Sequence, residues 1–167
     1  ISKRHRRKPY TQMTGIIDYI GNTRSIEKAL EKLKEPYITT NKIEELDKCD
    51  RLILGGVGSF GEGMKRLQDL GLIDYIINYK KQLLGICLGM QLLAEESEES
   101  PDVNGLCIIK GKSKKLDKIH VGWDDFEGNA YYFVHNYDTG IWKVKKGRFT
   151  GVQMHPEKSQ EAGLKLL

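Results

Sequence analysis

Four short apolar runs alternate with segments of helical periodicity between residues 15 and 96, and that alternation leaves few folds open. Gly15-Ile16-Ile17-Asp18-Tyr19 reads as a strand, followed by a turn at Gly21-Asn22. Ser25 can cap the helix that comes next, and Ile26, Leu30 and Leu33 then fall on one face of it. Pro36 stops that helix. Residues 37–40 form a second strand, 43–46 a short helix and 51–54 a third strand, which runs straight into Gly55-Gly56-Val57-Gly58. Residues 64–79 read as a helix interrupted near Gly71, 82–86 as a fourth strand and 88–96 as a helix. Strands this apolar, each followed by a helix, predict an α/β fold: a mostly parallel sheet flanked by helices on both faces. The second half changes character. Residues 105–109, 111–116, 131–134 and 149–153 are strand candidates, and an antiparallel extension of the sheet is expected there.

A chain of 167 residues that is 39% hydrophobic and 30% charged fits one ordinary soluble domain. No apolar run approaches the ~20 residues of a membrane helix, and no apolar segment follows the charged N-terminus as in a signal peptide. A cytoplasmic protein is the expectation. The net charge of +4 owes five positives to Lys3, Arg4, Arg6, Arg7 and Lys8; without them the balance is −1, so no nucleic-acid partner is implied. Residues 1–12 read as a tag remnant or frayed basic tail, and 13–167 as the folded domain. The three cysteines, Cys49, Cys87 and Cys107, are odd in number and widely spaced. That argues against disulfides and zinc pairs, so no metal is expected. Cys49 and Cys107 read as small buried hydrophobes.

Cys87 differs from both. Gly85-Ile86-Cys87-Leu88-Gly89 is G-x-C-x-G between an apolar strand and a helix, the cysteine form of a nucleophile elbow. A sharp turn there lifts the side chain off the strand end. The glycines let neighbouring backbone pass close, and the helix start sets free N–H groups and a positive dipole end beside the sulfur. The N–H of Leu88 points where an oxyanion would form. A nucleophilic cysteine needs a base. His155 stands just past an apolar strand in Val152-Gln153-Met154-His155-Pro156-Glu157, with Glu157 two residues on and Pro156 stiffening the turn. A carboxylate there could hold the imidazole tautomer and stabilise imidazolium.

Together these motifs closely resemble the class I glutamine amidotransferases, and within them the glutaminase subunits of imidazole glycerol phosphate synthases. The resemblance is carried by Ile16-Ile17-Asp18-Tyr19, by Gly55-Gly56-Val57-Gly58-Ser59-Phe60-Gly61-Glu62-Gly63-Met64 and by Leu84-Gly85-Ile86-Cys87-Leu88-Gly89-Met90-Gln91-Leu92-Leu93. Val121-Gly122-Trp123, Tyr132-Phe133-Val134-His135-Asn136-Tyr137 and Val152-Gln153-Met154-His155-Pro156-Glu157-Lys158-Ser159 extend it toward the C-terminus.

The resemblance implies a flavodoxin-like sheet and a Cys87–His155–Glu157 triad that hydrolyses glutamine through a thioester, with no cofactor. It implies an oxyanion segment at Gly56 and Val57, working with Leu88, and a glutamine site near Gln91, Glu99, His135 and Asn136. Asn22, His120, Trp123 and Lys158 match the family's face toward a (β/α)8-barrel cyclase that receives the ammonia in histidine biosynthesis. Two other readings go with it: a relative supplying ammonia for surface-polysaccharide sugars, and a non-catalytic regulatory module. Three departures from the family pattern stand out. Ile20 follows Tyr19 where a glycine is usual, Gly55 replaces a proline, and the segments after Trp123 and after Tyr137 are short.

Overall fold

The computed structural model describes residues 12–167. Of the tail expected at residues 1–12, residues 1–11 lie outside the described residues. Nine strands alternate with six helices among those described: β1 Thr14–Ile17, α1 Arg24–Lys32, β2 Tyr37–Thr40, α2 Ile43–Leu46, β3 Arg51–Leu54, α3 Phe60–Asp69, α4 Ile73–Asn78, β4 Gln82–Ile86 and α5 Leu88–Leu93, then β5 Glu96–Ser97, β6 Lys112–Phe126, β7 Asn129–Asp138, β8 Lys143–Lys146, β9 Phe149–Val152 and α6 Gln160–Leu164. A single 3-10 turn, Pro156–Lys158, links β9 to α6.

The main sheet runs β2-β1-β3-β4-β9-β8. Its first five strands are parallel, and β8 is antiparallel to β9. The strand order doubles back beside β1, so β1 and β3 flank a switch point of the flavodoxin-like kind, where ligand sites gather beyond the carboxyl ends of strands. Alternation along each strand feeds two cores. Ile17, Leu52, Leu54 and Leu83 pack with Phe60, Met64 and Leu67 of α3 and Leu88 and Leu92 of α5. Ile16, Ile53, Ile86 and Val152 pack on the opposite face with Ile26, Ala29 and Leu30 of α1 and with Tyr131 and Phe133 of β7.

Several sequence expectations shift. Ser25 does not cap α1: the N-cap is Thr23, which makes no side-chain capping bond, and the helix already starts at Arg24. The helix expected over 64–79 is interrupted at Gly71 as expected, where φ is +68°, but its first part begins earlier, at Phe60. α5 ends at Leu93, and residues 105–109 form no strand. They are held instead by backbone bonds back to the end of α5, such as Leu106 N–H to Leu92 O at 2.8 Å. β5 and β8 were not foreseen. β6 and β7 form a long antiparallel ribbon closed by Glu127-Gly128, whose φ values of +52° and +78° suit a two-residue hairpin turn. Cys49 is buried as expected, but Cys107 is exposed. No helix among the described residues is long and apolar enough to cross a membrane.

Candidate active site

Three neighbouring parallel strands end at the same place. β3 delivers Gly55 to Gly58, β4 delivers Cys87, and β9 leads through Gln153 and Met154 to His155. The elbow is a real one: Cys87 has φ +52° and ψ −105°, a conformation few side-chain-bearing residues adopt. Its N–H donates to Val152 O at 2.8 Å, which ties the elbow to β9. The elbow glycines are required by crowding. A Cβ on Gly89 would overlap the Leu54 carbonyl, and one on Gly85 would sit 2.9 Å from the Gly89 carbonyl carbon.

Cys87 is buried, and its Sγ lies 3.7 Å from Val134 O and 3.5 Å from Gln153 Nε2. His155 Nδ1 is 2.8 Å from Glu157 Oε1, and both side chains are almost wholly buried. Burial pulls the His155 pKa down. Its hydrogen bonds and charge interactions with Cys87 and Glu157 outweigh that and push it up to about 10. A histidine in that state is an imidazolium at neutral pH, held by the Glu157 carboxylate. Ser159 fixes the backbone here, donating through Oγ to His155 O at 2.6 Å and accepting from Tyr132 N at 2.9 Å.

A cavity of about 270 Å³ opens over the sulfur. Val57, Leu88, Gln91, Glu99, His135, Asn136, His155 and Lys158 all contribute to its wall. Gln91 is buried and donates to Tyr137 O at 2.7 Å. Glu99 accepts from Phe60 N at 2.8 Å, so its carboxylate also sits at the start of α3. His135 pairs with Asp138 at 3.3 Å; burial is the main cause of its lowered pKa, so it is neutral at pH 7. Gly56 is not part of this wall; with Asn22, His155 and Lys158 it lines a smaller adjoining cavity.

The two remaining expected residues lie on opposite sides of the β6–β7 ribbon. Trp123 is 51% exposed, whereas His120 turns inward and stacks on Phe133 at 4.4 Å. His120 therefore does not share the outer face with Trp123. Gln153, Asp138 and Tyr19 escaped sequence reasoning. Gln153 had a usable signal, since it stands two residues before His155, the spacing that sends strand side chains the same way.

The description "Glutamine amidotransferase class-I" fits a family model matching residues 15–137 of this chain. The chain belongs to the class I glutamine amidotransferases. This amidotransferase is 45% identical to a Methanocaldococcus jannaschii protein described as imidazole glycerol phosphate synthase subunit HisH, over 93% of this chain and 96% of that one. It is 42% identical to the subunit of the same description from Exiguobacterium sibiricum, over 93% and 92% of the two chains. Among solved structures, one described as a glutamine amidotransferase superposes with a TM-score of 0.77 at 19% identity, covering 92% of this chain and 95% of that one. That likeness concerns the fold.

Proposed function

We propose that this amidotransferase is a glutaminase subunit that releases ammonia from glutamine and passes it to a (β/α)8-barrel cyclase, which makes imidazole glycerol phosphate in histidine biosynthesis. The observation that carries the reading is one constellation: a cysteine held in a left-handed elbow beside a buried His155–Glu157 pair. The pathway rests on the relatives, whose descriptions name imidazole glycerol phosphate synthase.

In this mechanism the Cys87 sulfur attacks the side-chain amide carbon of glutamine. The carbonyl oxygen becomes an oxyanion, met by the Leu88 N–H and by backbone of the Gly56-Val57 segment. His155, already an imidazolium, gives its proton to the departing ammonia and leaves a thioester. It then takes a proton from water, which attacks the thioester carbon and frees glutamate and the sulfur. Glu157 holds the ring through Nδ1 and stabilises its charge. Glu99, Asn136 and the neutral His135 offer polar groups for the rest of the amino acid, in a cavity suited to one small polar molecule rather than a large cofactor.

The outer face of the ribbon supports a partner. Ile119, Val121 and Trp123 are all more than half exposed, and Val134, across from Val121, reaches the cavity rim. Exposed apolar residues grouped beside an active site fit a docking surface; Lys158 shares the cavity wall with Val134, and Asn22 lines the adjoining cavity. The test is glutamate release by wild type and Cys87→Ala, each alone and with a purified barrel cyclase. The expected outcome is no hydrolysis by Cys87→Ala with an unchanged circular dichroism spectrum. Retained hydrolysis in that variant would remove Cys87 from the mechanism.

A further inference from the structure

The loop between β3 and α3, residues 55–59, carries the backbone assigned above to the oxyanion, and it is rich in glycine. Such a loop has several backbone states of similar energy unless something outside it chooses one. Tyr19 lies just beyond the end of β1 and is only 2% exposed. Its phenol donates to Gly55 O at 2.5 Å, where the loop leaves β3. Its own carbonyl accepts from Arg66 Nε at 3.0 Å, from the last turn of α3, the helix the loop enters. One residue therefore grips the element on each side of the loop.

The contact continues under the loop itself. A Cβ on Gly56 would lie 2.6 Å from Tyr19 Oη and 2.8 Å from Ile20 Cγ2, and one on Gly58 would lie 3.1 Å from Ile20 Cδ1. Gly56 and Gly58 have φ of +106° and +135°, values that suit glycine. The loop backbone thus rests directly on Tyr19 and Ile20, with no side chain between. Burial keeps the phenol well above its ordinary pKa, with the nearby Cys87 charge adding to the effect. Tyr19 is then always a neutral donor.

We propose that Tyr19 is a positioning residue for the glutaminase reaction: with Ile20 it forms a strut that selects one backbone state of residues 55–58 and so aims the donors that meet the oxyanion. This rests on the glutaminase reading. Tyr19 touches neither substrate nor sulfur, so its loss leaves glutamine binding and thiol reactivity intact and weakens only what forms after attack.

Tyr19→Phe removes a single oxygen and keeps the ring. With saturating partner, it should lower kcat about tenfold or more with KM within twofold of wild type. Glutamate γ-semialdehyde, whose aldehyde carbon accepts the sulfur and whose oxygen takes up the oxyanion position, should inhibit the variant about tenfold less tightly. Alkylation of Cys87 by iodoacetamide should keep its wild-type rate, since displacement at a saturated carbon makes no oxyanion. A merely structural role would move all three readouts together with the folded fraction, and that pattern overturns the proposal. Unchanged kcat and unchanged aldehyde inhibition overturn it as well. If Tyr19→Phe does not fold, Ile20→Ala takes its place: a tenfold lower kcat at unchanged KM supports the strut, and wild-type kcat refutes it. Wild-type protein that releases no glutamate with its partner refutes the glutaminase reading and the strut with it, an outcome distinct from an active wild type matched by an equally active variant.

Discussion

Replacing Glu157 by glutamine keeps the shape of the site and changes its charge. Glu157 Oε1 sits 2.8 Å from His155 Nδ1, while Oε2 is buried without a protein partner among the described residues. The amide of Glu157→Gln can therefore turn its oxygen toward Nδ1 and place its NH2 where Oε2 stands. One hydrogen bond survives, but it is neutral. A charge-assisted bond is worth ~1.5–3 kcal/mol against ~1 for a neutral one, a difference of ~0.5–2 kcal/mol. If that difference is felt in full in the transition state, kcat falls roughly 2- to 30-fold at ~1.4 kcal/mol per factor of ten. His155→Ala removes proton transfer itself and should cost ~100- to 10,000-fold. The assay is glutamate release at saturating glutamine with partner present, with thermal melts confirming that each variant is folded. Equal losses in the two folded variants would refute the reasoning, because Glu157 would then do more than orient and stabilise.

Three further outcomes follow from the same geometry. Trp123→Ala should weaken partner binding tenfold or more by titration calorimetry while moving stability by less than ~0.5 kcal/mol, because the ring is 51% exposed; a lower melting point at unchanged affinity would make Trp123 structural. His155 should titrate near pH 10 by NMR in wild type and lower in Cys87→Ala, which lacks one of the two groups that raise it. Because its folded pKa lies above the ordinary 6.5, its contribution to stability is complete below pH 6.5 and is lost as pH climbs toward 10, so the urea midpoint should fall more steeply over that range in wild type than in Cys87→Ala; parallel slopes would show that Cys87 does not raise the His155 pKa. The free chain should hydrolyse glutamine slowly, faster with the barrel partner and fastest with partner plus its ligand, since binding can add to the Tyr19 strut in favouring the productive state of the glycine loop; equal kcat in all three would show that the loop needs no selection beyond the strut.

Much of the site was legible because its chemistry is written in local patterns. G-x-C-x-G between a strand and a helix specifies an elbow, and the structure bends Cys87 as that pattern requires. His155 and Glu157 are two residues apart around a proline, so their pairing was a short-range matter. β2, α2, β3 and β4 match the expected bounds residue for residue, since each is a short segment set off by its neighbours in the chain. The ribbon was harder. Lys112 to Phe126 is rich in lysine and aspartate because most of β6 is exposed, and a strand with a weak apolar face carries little periodic signal. Ser25 looked like a cap from its hydroxyl alone, but the chain enters the helix two residues earlier.

By itself the sequence determined the order of strands and helices from β1 to α5, the parallel core and the residues proposed for the chemistry. These depend on side-chain polarity at fixed spacing and on glycine where backbone must pass close. Only the tertiary structure decided which distant groups meet. Gln153 at 3.5 Å from the Cys87 sulfur, Asp138 behind His135, and Tyr19 under Gly55 and Gly56 join segments separated by up to 66 residues or set by a tight turn. It also decided that His120 faces inward while Trp123 faces out. Strand register makes that choice, because a shift of one residue turns every side chain to the other face, and register is set by a partner strand rather than by the strand's own residues.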